Sequence, residues 1–281
     1  MKLRLICLLM ATVLLLSGCA LLDREDSEKI PSYTYAQEGN YDVIRFGQVT
    51  VKVDLGYLSE KERNYAAHQV EGGVQAAQAY LKDRAPKETV LLLHSGDGPT
   101  MVYEGQADIY YAQNRTIPYT SLLTQVMLGV DGVPDWLREG VGAYVAETHK
   151  ESLLKTQAHL IDCLNQYVER EEAERAAENS SAAQESVYYD IDTLAKVLKE
   201  NGAYDAAAQL GDMTEQIASI GYAEEAYNFR GAYCIYAGSF VQYLEKNYGH
   251  DAVMAAYDGT AFADAFGVSF EDARAAWYDA L

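Results

Sequence analysis

The apolar residues of this chain fall mostly at strand spacing before Tyr111 and at helical spacing after Tyr119, and that order limits the architectures open to it. Up to Tyr111 they fall in short β-branched or aromatic runs, at 41–46, 49–53 with alternation, 89–93, 102–103 and 108–111, each of strand length and character. One helical segment interrupts them between the second and third runs. Ser59-Glu60-Lys61-Glu62 has capping-box spacing, and Ala66, Val70, Val74, Ala77 and Leu81 then recur at helical intervals before Pro86. From about Tyr119 onward the pattern is helical almost throughout. A helix over 121–128 stops at Gly129, Pro134 opens a second as a first-turn proline, and others are expected near 192–200, 203–220, 224–248, 250–257 and 269–281. Strands first and helices afterwards predict an α+β fold, with a small N-terminal β-rich layer carrying a helix and then a mainly helical C-terminal lobe.

The expected boundaries are a β-rich subdomain over 33–118 and a helical lobe over 119–281. Within the lobe the chain turns acidic and Ala/Glu-rich after Val168, so residues of about 168–188 read as a solvent-bathed acidic insertion. A hydrophobic content of 49% is enough to bury a sizeable core, and 23 tyrosines against five prolines point to an ordered body.

The N-terminus carries an address. Lys2 and Arg4 precede an apolar run over 5–16, broken only by Thr12, and Leu16-Ser17-Gly18-Cys19 follows. This is a secretory signal over 1–18 ending in a lipobox. The run, about 12 residues, is too short to cross ~30 Å of hydrocarbon as a helix. Lipid on Cys19, palmitate-type acyl chains included, would anchor the chain to the cell membrane from its extracytoplasmic side. Residues 19–32 are charged and aperiodic and read as a tether. Cleavage before Cys19 removes two basic residues and no acidic one, taking the formal net charge from −20 to −22. So acidic a chain repels nucleic acid and anionic headgroups. Cys163 and Cys234 then remain beside Cys19, as a disulfide or as two free thiols.

Two segments carry a resemblance. Val133-Pro134-Asp135-Trp136-Leu137-Arg138-Glu139-Gly140-Val141-Gly142-Ala143-Tyr144-Val145 resembles the P-x-W-L-x-E-G-x-A-x-Y helix of gluzincin-type zinc metallopeptidases, the thermolysin-like superfamily. Tyr233-Cys234-Ile235-Tyr236-Ala237-Gly238-Ser239-Phe240-Val241-Gln242-Tyr243-Leu244, followed by Lys246-Asn247-Tyr248-Gly249 and Ala265-Phe266-Gly267-Val268-Ser269, is similar to their C-terminal helices. The resemblance spans roughly residues 41–281 and implies a gluzincin-like fold. It also implies that Glu139 matches the third zinc ligand and that Tyr233 matches a position near substrate in some members.

Active members place two His ligands and a water-activating Glu in an H-E-x-x-H helix just upstream, because His at i and i+4 share a helix face. The matching segment here is Ser121-Leu122-Leu123-Thr124-Gln125. Both ligands and the base are missing, so Ser121, Leu122, Gln125 and Glu139 are the expected vestige of a metal site, with no cofactor. Of the five histidines, none pair at i,i+3 or i,i+4, and a rebuilt site would have to combine His68, His94 or His149 with Glu139. Glu139 also has a structural reading, as a carboxylate near a helix N-terminus paired with Arg115 or Arg230. Tyr233, Trp136, Leu137, Val141 and Tyr144 fit core positions. His94-Ser95-Gly96-Asp97-Gly98 reads as a turn, since residues adjacent in sequence rarely converge as a triad. The expected function is a lipid-anchored, non-catalytic module that binds a peptide, protein or other surface ligand, an inactive metallopeptidase homologue. The alternatives are a metallopeptidase or other hydrolase with a relocated site, and a solute-binding lipoprotein. The last predicts two α/β lobes, whereas the strands stop near Tyr111.

Overall fold

Strands β3 (Val49–Asp54) and β4 (Thr89–Ser95) lie side by side and parallel, so the chain between them must return along the sheet. A 22-residue helix, α1 (Glu60–Leu81), makes that return. Its capping box is fully formed: Ser59 Oγ accepts from Glu62 N, and the Glu62 carboxylate accepts from Ser59 N. The computed structural model describes residues 30–54, 58–95, 100–111, 117–148, 190–220 and 223–281, and elements are numbered through these. The expected signal and lipobox with Cys19, most of the expected tether, Arg115, His149, His159, Cys163 and the expected acidic insertion lie outside them.

The sheet has six strands in the order β1-β2-β3-β4-β6-β5. β1 (Ala36–Glu38), β2 (Tyr41–Phe46) and β3 form an antiparallel meander. β5 (Met101–Tyr103) and β6 (Gln106–Tyr111) form a hairpin whose second strand runs parallel to β4. Alternation gives the sheet one apolar face: Val49, Val51, Val53, Leu91, Leu93, Ala107 and Ile109 are all buried. Helices α1 and α2 (Tyr119–Leu128) pack against the sheet, with Val70, Val74, Ala77 and Leu123 sealed from solvent. A mixed sheet with helices gathered after it is the expected α+β arrangement.

The helical part centres on α3 (Asp135–Thr148), which packs between α2 and the 26-residue α6 (Ala223–Tyr248). Around them stand α4 (Ile191–Glu200), α5 (Met213–Ala218), α7 (His250–Tyr257), α8 (Phe262–Phe266) and α9 (Phe270–Ala280). Trp136, Phe240, Phe262, Phe270 and Trp277 form a continuous aromatic cluster with neighbouring ring centroids 5.3–6.4 Å apart. Inside it, Trp277 Nε1 donates to Ser239 Oγ at 2.9 Å, and Ser239 Oγ donates to Asp192 at 2.6 Å, tying α9, α6 and α4 together. Thr34–Leu281 forms one compact unit. No helix among the described residues is long and apolar enough to cross a membrane.

Three departures from the sequence reading have local causes. Strand β1 was not expected, because Ala36-Gln37-Glu38 is exposed throughout and gains its conformation only by pairing with β2. The continuous helix expected over 203–220 is broken into a 3-10 turn at Ala207–Gln209 and the short α5, because Tyr204 and Leu210 adopt left-handed backbone angles that no α-helix contains. Helix α8 is an addition: one helical turn, closed by Gly267 at φ 71°.

Candidate functional site

All ten residues of α2 are buried, so its polar side chains must find partners inside the protein. Thr124 Oγ1 returns to the helix's own backbone, donating to Thr120 O at 2.7 Å. Ser121 and Gln125, one turn apart, instead face α3. The two helices approach there at Gly142, where an added Cβ would stand 2.6 Å from Ser121 Oγ and 2.9 Å from Gln125 Nε2. On its opposite side α3 meets α6 at Gly140, where a Cβ would stand 2.6 Å from Ala237 O. The two glycines of Glu139-Gly140-Val141-Gly142 therefore let one helix fit between two others without a side chain intervening.

That packing brings Glu139 against both neighbours. Its Oε2 accepts from Gln125 Nε2 at 3.2 Å and from the Cys234 thiol at 3.6 Å. Its Oε1 accepts from Arg138 Nη2 and Arg230 Nη2, each at 3.4 Å. Gln125 Nε2 also reaches Ser121 Oγ at 3.4 Å. Glu139 is 4% exposed. A carboxylate so deeply buried needs counter-charge, and two guanidinium groups provide it. Arg138 is held in turn by Asp135 Oδ1 at 2.9 Å, and Asp135 Oδ2 accepts the Met213 backbone N–H at 3.2 Å.

The electrostatics follow the burial. The Glu139 charge beside Arg230 holds that guanidinium's pKa above its usual value. Burial, and secondarily the Glu139 charge, pushes the Cys234 thiol well up. Cys234 is therefore a neutral thiol donating to a carboxylate, unsuited to act as a nucleophile or a thiolate ligand; no disulfide joins it to another described residue. Burial first, then Asp135, likewise raises Tyr233.

The residues singled out by the sequence divide cleanly. Ser121, Gln125 and Glu139 come together on facing helices. Leu122 points into the core at 4% exposure. Tyr233 is fully buried, and its hydroxyl donates to Gly211 O at 2.8 Å. Of the histidines, His94 stacks on Tyr110 at 5.0 Å near Asp108, and His250 begins α7 beside Glu245 at 3.2 Å. His68 is exposed on α1. Among the described residues, no group of three or more His, Cys, Asp or Glu side chains is placed to hold a metal ion. Of the two arginines named as partners for Glu139, Arg230 is one the structure brings to it. Arg138, Cys234 and Gly142 were missed as members of the site. The small-residue spacing Gly140-x-Gly142 beside a carboxylate was the signal available for the last.

Compared with protein-family models, curated proteins and solved structures, the chain matches none.

Proposed function

We propose that this chain is a lipid-anchored extracytoplasmic protein in which a gluzincin-like helix pair has lost its zinc chemistry and serves as part of a non-catalytic peptide- or protein-binding module. The observation that carries this reading is the engagement of Glu139. At the positions where the resemblance calls for imidazoles stand Ser121 and Gln125, and both oxygens of the carboxylate are taken up by an amide, a thiol and two guanidiniums. A cation would have to displace two positive charges from a buried site to reach it. A second observation favours a peptide as ligand. β5 stands at one end of the strand order beside α2, with no further strand on its outer side among the described residues. Met101 and Tyr103 are exposed on it. An edge strand with exposed side chains is a surface to which an extended peptide can add.

The test is elemental analysis of the untagged full chain in detergent, beside a peptide-library assay with and without chelator. The expected result is no stoichiometric zinc, no chelator-sensitive cleavage, and retention of a subset of library peptides. About one zinc per chain, with cleavage that chelator and Glu139→Ala both abolish, would defeat the non-catalytic reading.

A further inference from the structure

Away from Glu139, the segment joining α4 to α5, the end of α5 and the first turns of α6 border an open cavity of about 490 Å³, inside the range of roughly 300–1,000 Å³ typical of small-ligand sites. Tyr204 and Phe229 form its aromatic wall, their rings edge to face at 6.3 Å and 80°. Tyr204 sits at φ 57°, a backbone conformation that non-glycine residues seldom adopt.

The polar chemistry of the lining is one-sided. The carboxylates of Asp205 and Glu225 stand at the cavity, both on exposed residues, and no Lys, Arg or His among the described residues lines it. Of the three lining side chains able to donate, Tyr204, Ser219 and Gln216, the last two are engaged within the protein. Ser219 Oγ donates to Gln216 O at 2.6 Å, and Gln216 Nε2 donates to Ala206 O at 3.2 Å. The second bond fixes the amide's orientation, since only its NH2 end can donate to a carbonyl. Gln216 Oε1 is thereby left buried, with no hydrogen-bond partner among the described residues. Asp205 Oδ1 receives the Tyr278 hydroxyl at a long 3.5 Å. Of the basic side chains on adjacent elements, Arg274 donates to Ala208 O at 3.4 Å, and Lys199 donates to Tyr278 O and lies over that ring.

We infer that this cavity binds an organic cation carrying N–H donors, an alkylammonium or guanidinium group, held against the Tyr204–Phe229 aromatic wall by the carboxylates of Asp205 and Glu225. Aromatic side chains attract such cations, and carboxylates accept hydrogen bonds from them. An anion meets two carboxylates in a chain of net charge −20. A neutral apolar ligand would desolvate those acceptors without replacing their hydrogen bonds. The cation's source is a free amine or the side chain of a basic peptide. The inference stands whether or not the reading of the Glu139 site does.

Calorimetric titration of the full chain in detergent tests it, with hexylamine as the probe and hexanol as its uncharged counterpart. Saturable hexylamine binding with Kd at or below about 1 mM is expected, with hexanol at least about tenfold weaker and a loss of about tenfold in Asp205→Asn/Glu225→Gln. These exposed, near-isosteric changes should leave the thermal midpoint unchanged, and the hexylamine–hexanol comparison needs no variant. A blocked Ala-Lys-Ala peptide binding at least as tightly as hexylamine assigns the cation to a peptide side chain. Weaker peptide binding assigns it to a free amine. Absence of saturation, equal affinity for hexanol, or full hexylamine affinity in the double variant would overturn the inference.

Discussion

Glu139 and Arg230, 91 positions apart in the chain, meet at 3.4 Å across the interface of α3 and α6. The carboxylate side chain is 5% exposed and the guanidinium side chain 43%, so the two partners do not contribute equally. Removing the carboxylate leaves Arg138 and Arg230 facing each other beside a buried amide. Removing Arg230 leaves Glu139 with Arg138 and Gln125. Glu139→Ala is therefore expected to cost about 3 kcal/mol of unfolding free energy, and Arg230→Ala about 1 kcal/mol. Urea denaturation of the two variants checks the order. Equal costs, or a negligible one for Glu139→Ala, would show that the network does not support the helix pair.

Gly142 tests the contact between α2 and α3. Alanine is ordinarily the better helix former by about 1 kcal/mol, so Gly142→Ala would stabilise an unobstructed helix. Here the new methyl would meet Ser121 Oγ at 2.6 Å and Gln125 Nε2 at 2.9 Å. A net loss of about 1–3 kcal/mol is expected from overpacking, partly recovered in Gly142→Ala/Ser121→Ala. A stabilised single variant would mean the helices stand further apart than described.

Alkaline pH should unfold the protein through its buried tyrosines. Burial pushes Tyr35 up to about 12 and also raises Tyr80, Tyr233, Tyr236 and Tyr257 above the usual tyrosine value. In the unfolded chain these groups ionise near pH 10. A raised folded value means the folded state keeps its proton longer. The associated stability is intact below about pH 10 and falls as the pH rises towards the folded values. Denaturant midpoints should therefore drop steadily above about pH 10, with tyrosinate absorbance appearing together with unfolding. Full tyrosinate absorbance in a chain that retains its helical circular dichroism would contradict the burial.

Cys19→Ala addresses the anchor. Without the thiol no lipid can be attached, so the variant should accumulate uncleaved or be released from membranes, read by mass spectrometry of the membrane and soluble fractions. A variant equally membrane-bound, with the mature mass of the parent, would remove the lipobox reading.

Local chemistry was legible in the sequence wherever a residue's partner lies within a few positions. The Ser59–Glu62 capping box, the alternation of Val49, Val51 and Val53, and the helix stop at Gly129 depend on neighbours three or fewer residues away, or on the backbone alone, and all are present. The proposed N-terminal address, and the proposal that Ser121-Leu122-Leu123-Thr124-Gln125 stands in place of H-E-x-x-H, rest on the string alone. Tertiary structure decided what depends on distant partners. β1 exists because β2 pairs with it. The 203–220 segment breaks where Tyr204 and Leu210 take left-handed angles, although its composition suits a helix. Two arginines could equally have been named for Glu139 from the string. Which side chains close around the carboxylate follows from α3 packing between α2 and α6, where Gly140 and Gly142 allow backbones to approach and Gln125, Arg230 and Cys234 to converge on one buried charge. Periodicity reports which face of a helix is buried, whereas the identity of the group facing it is set by chain separations that no local pattern encodes.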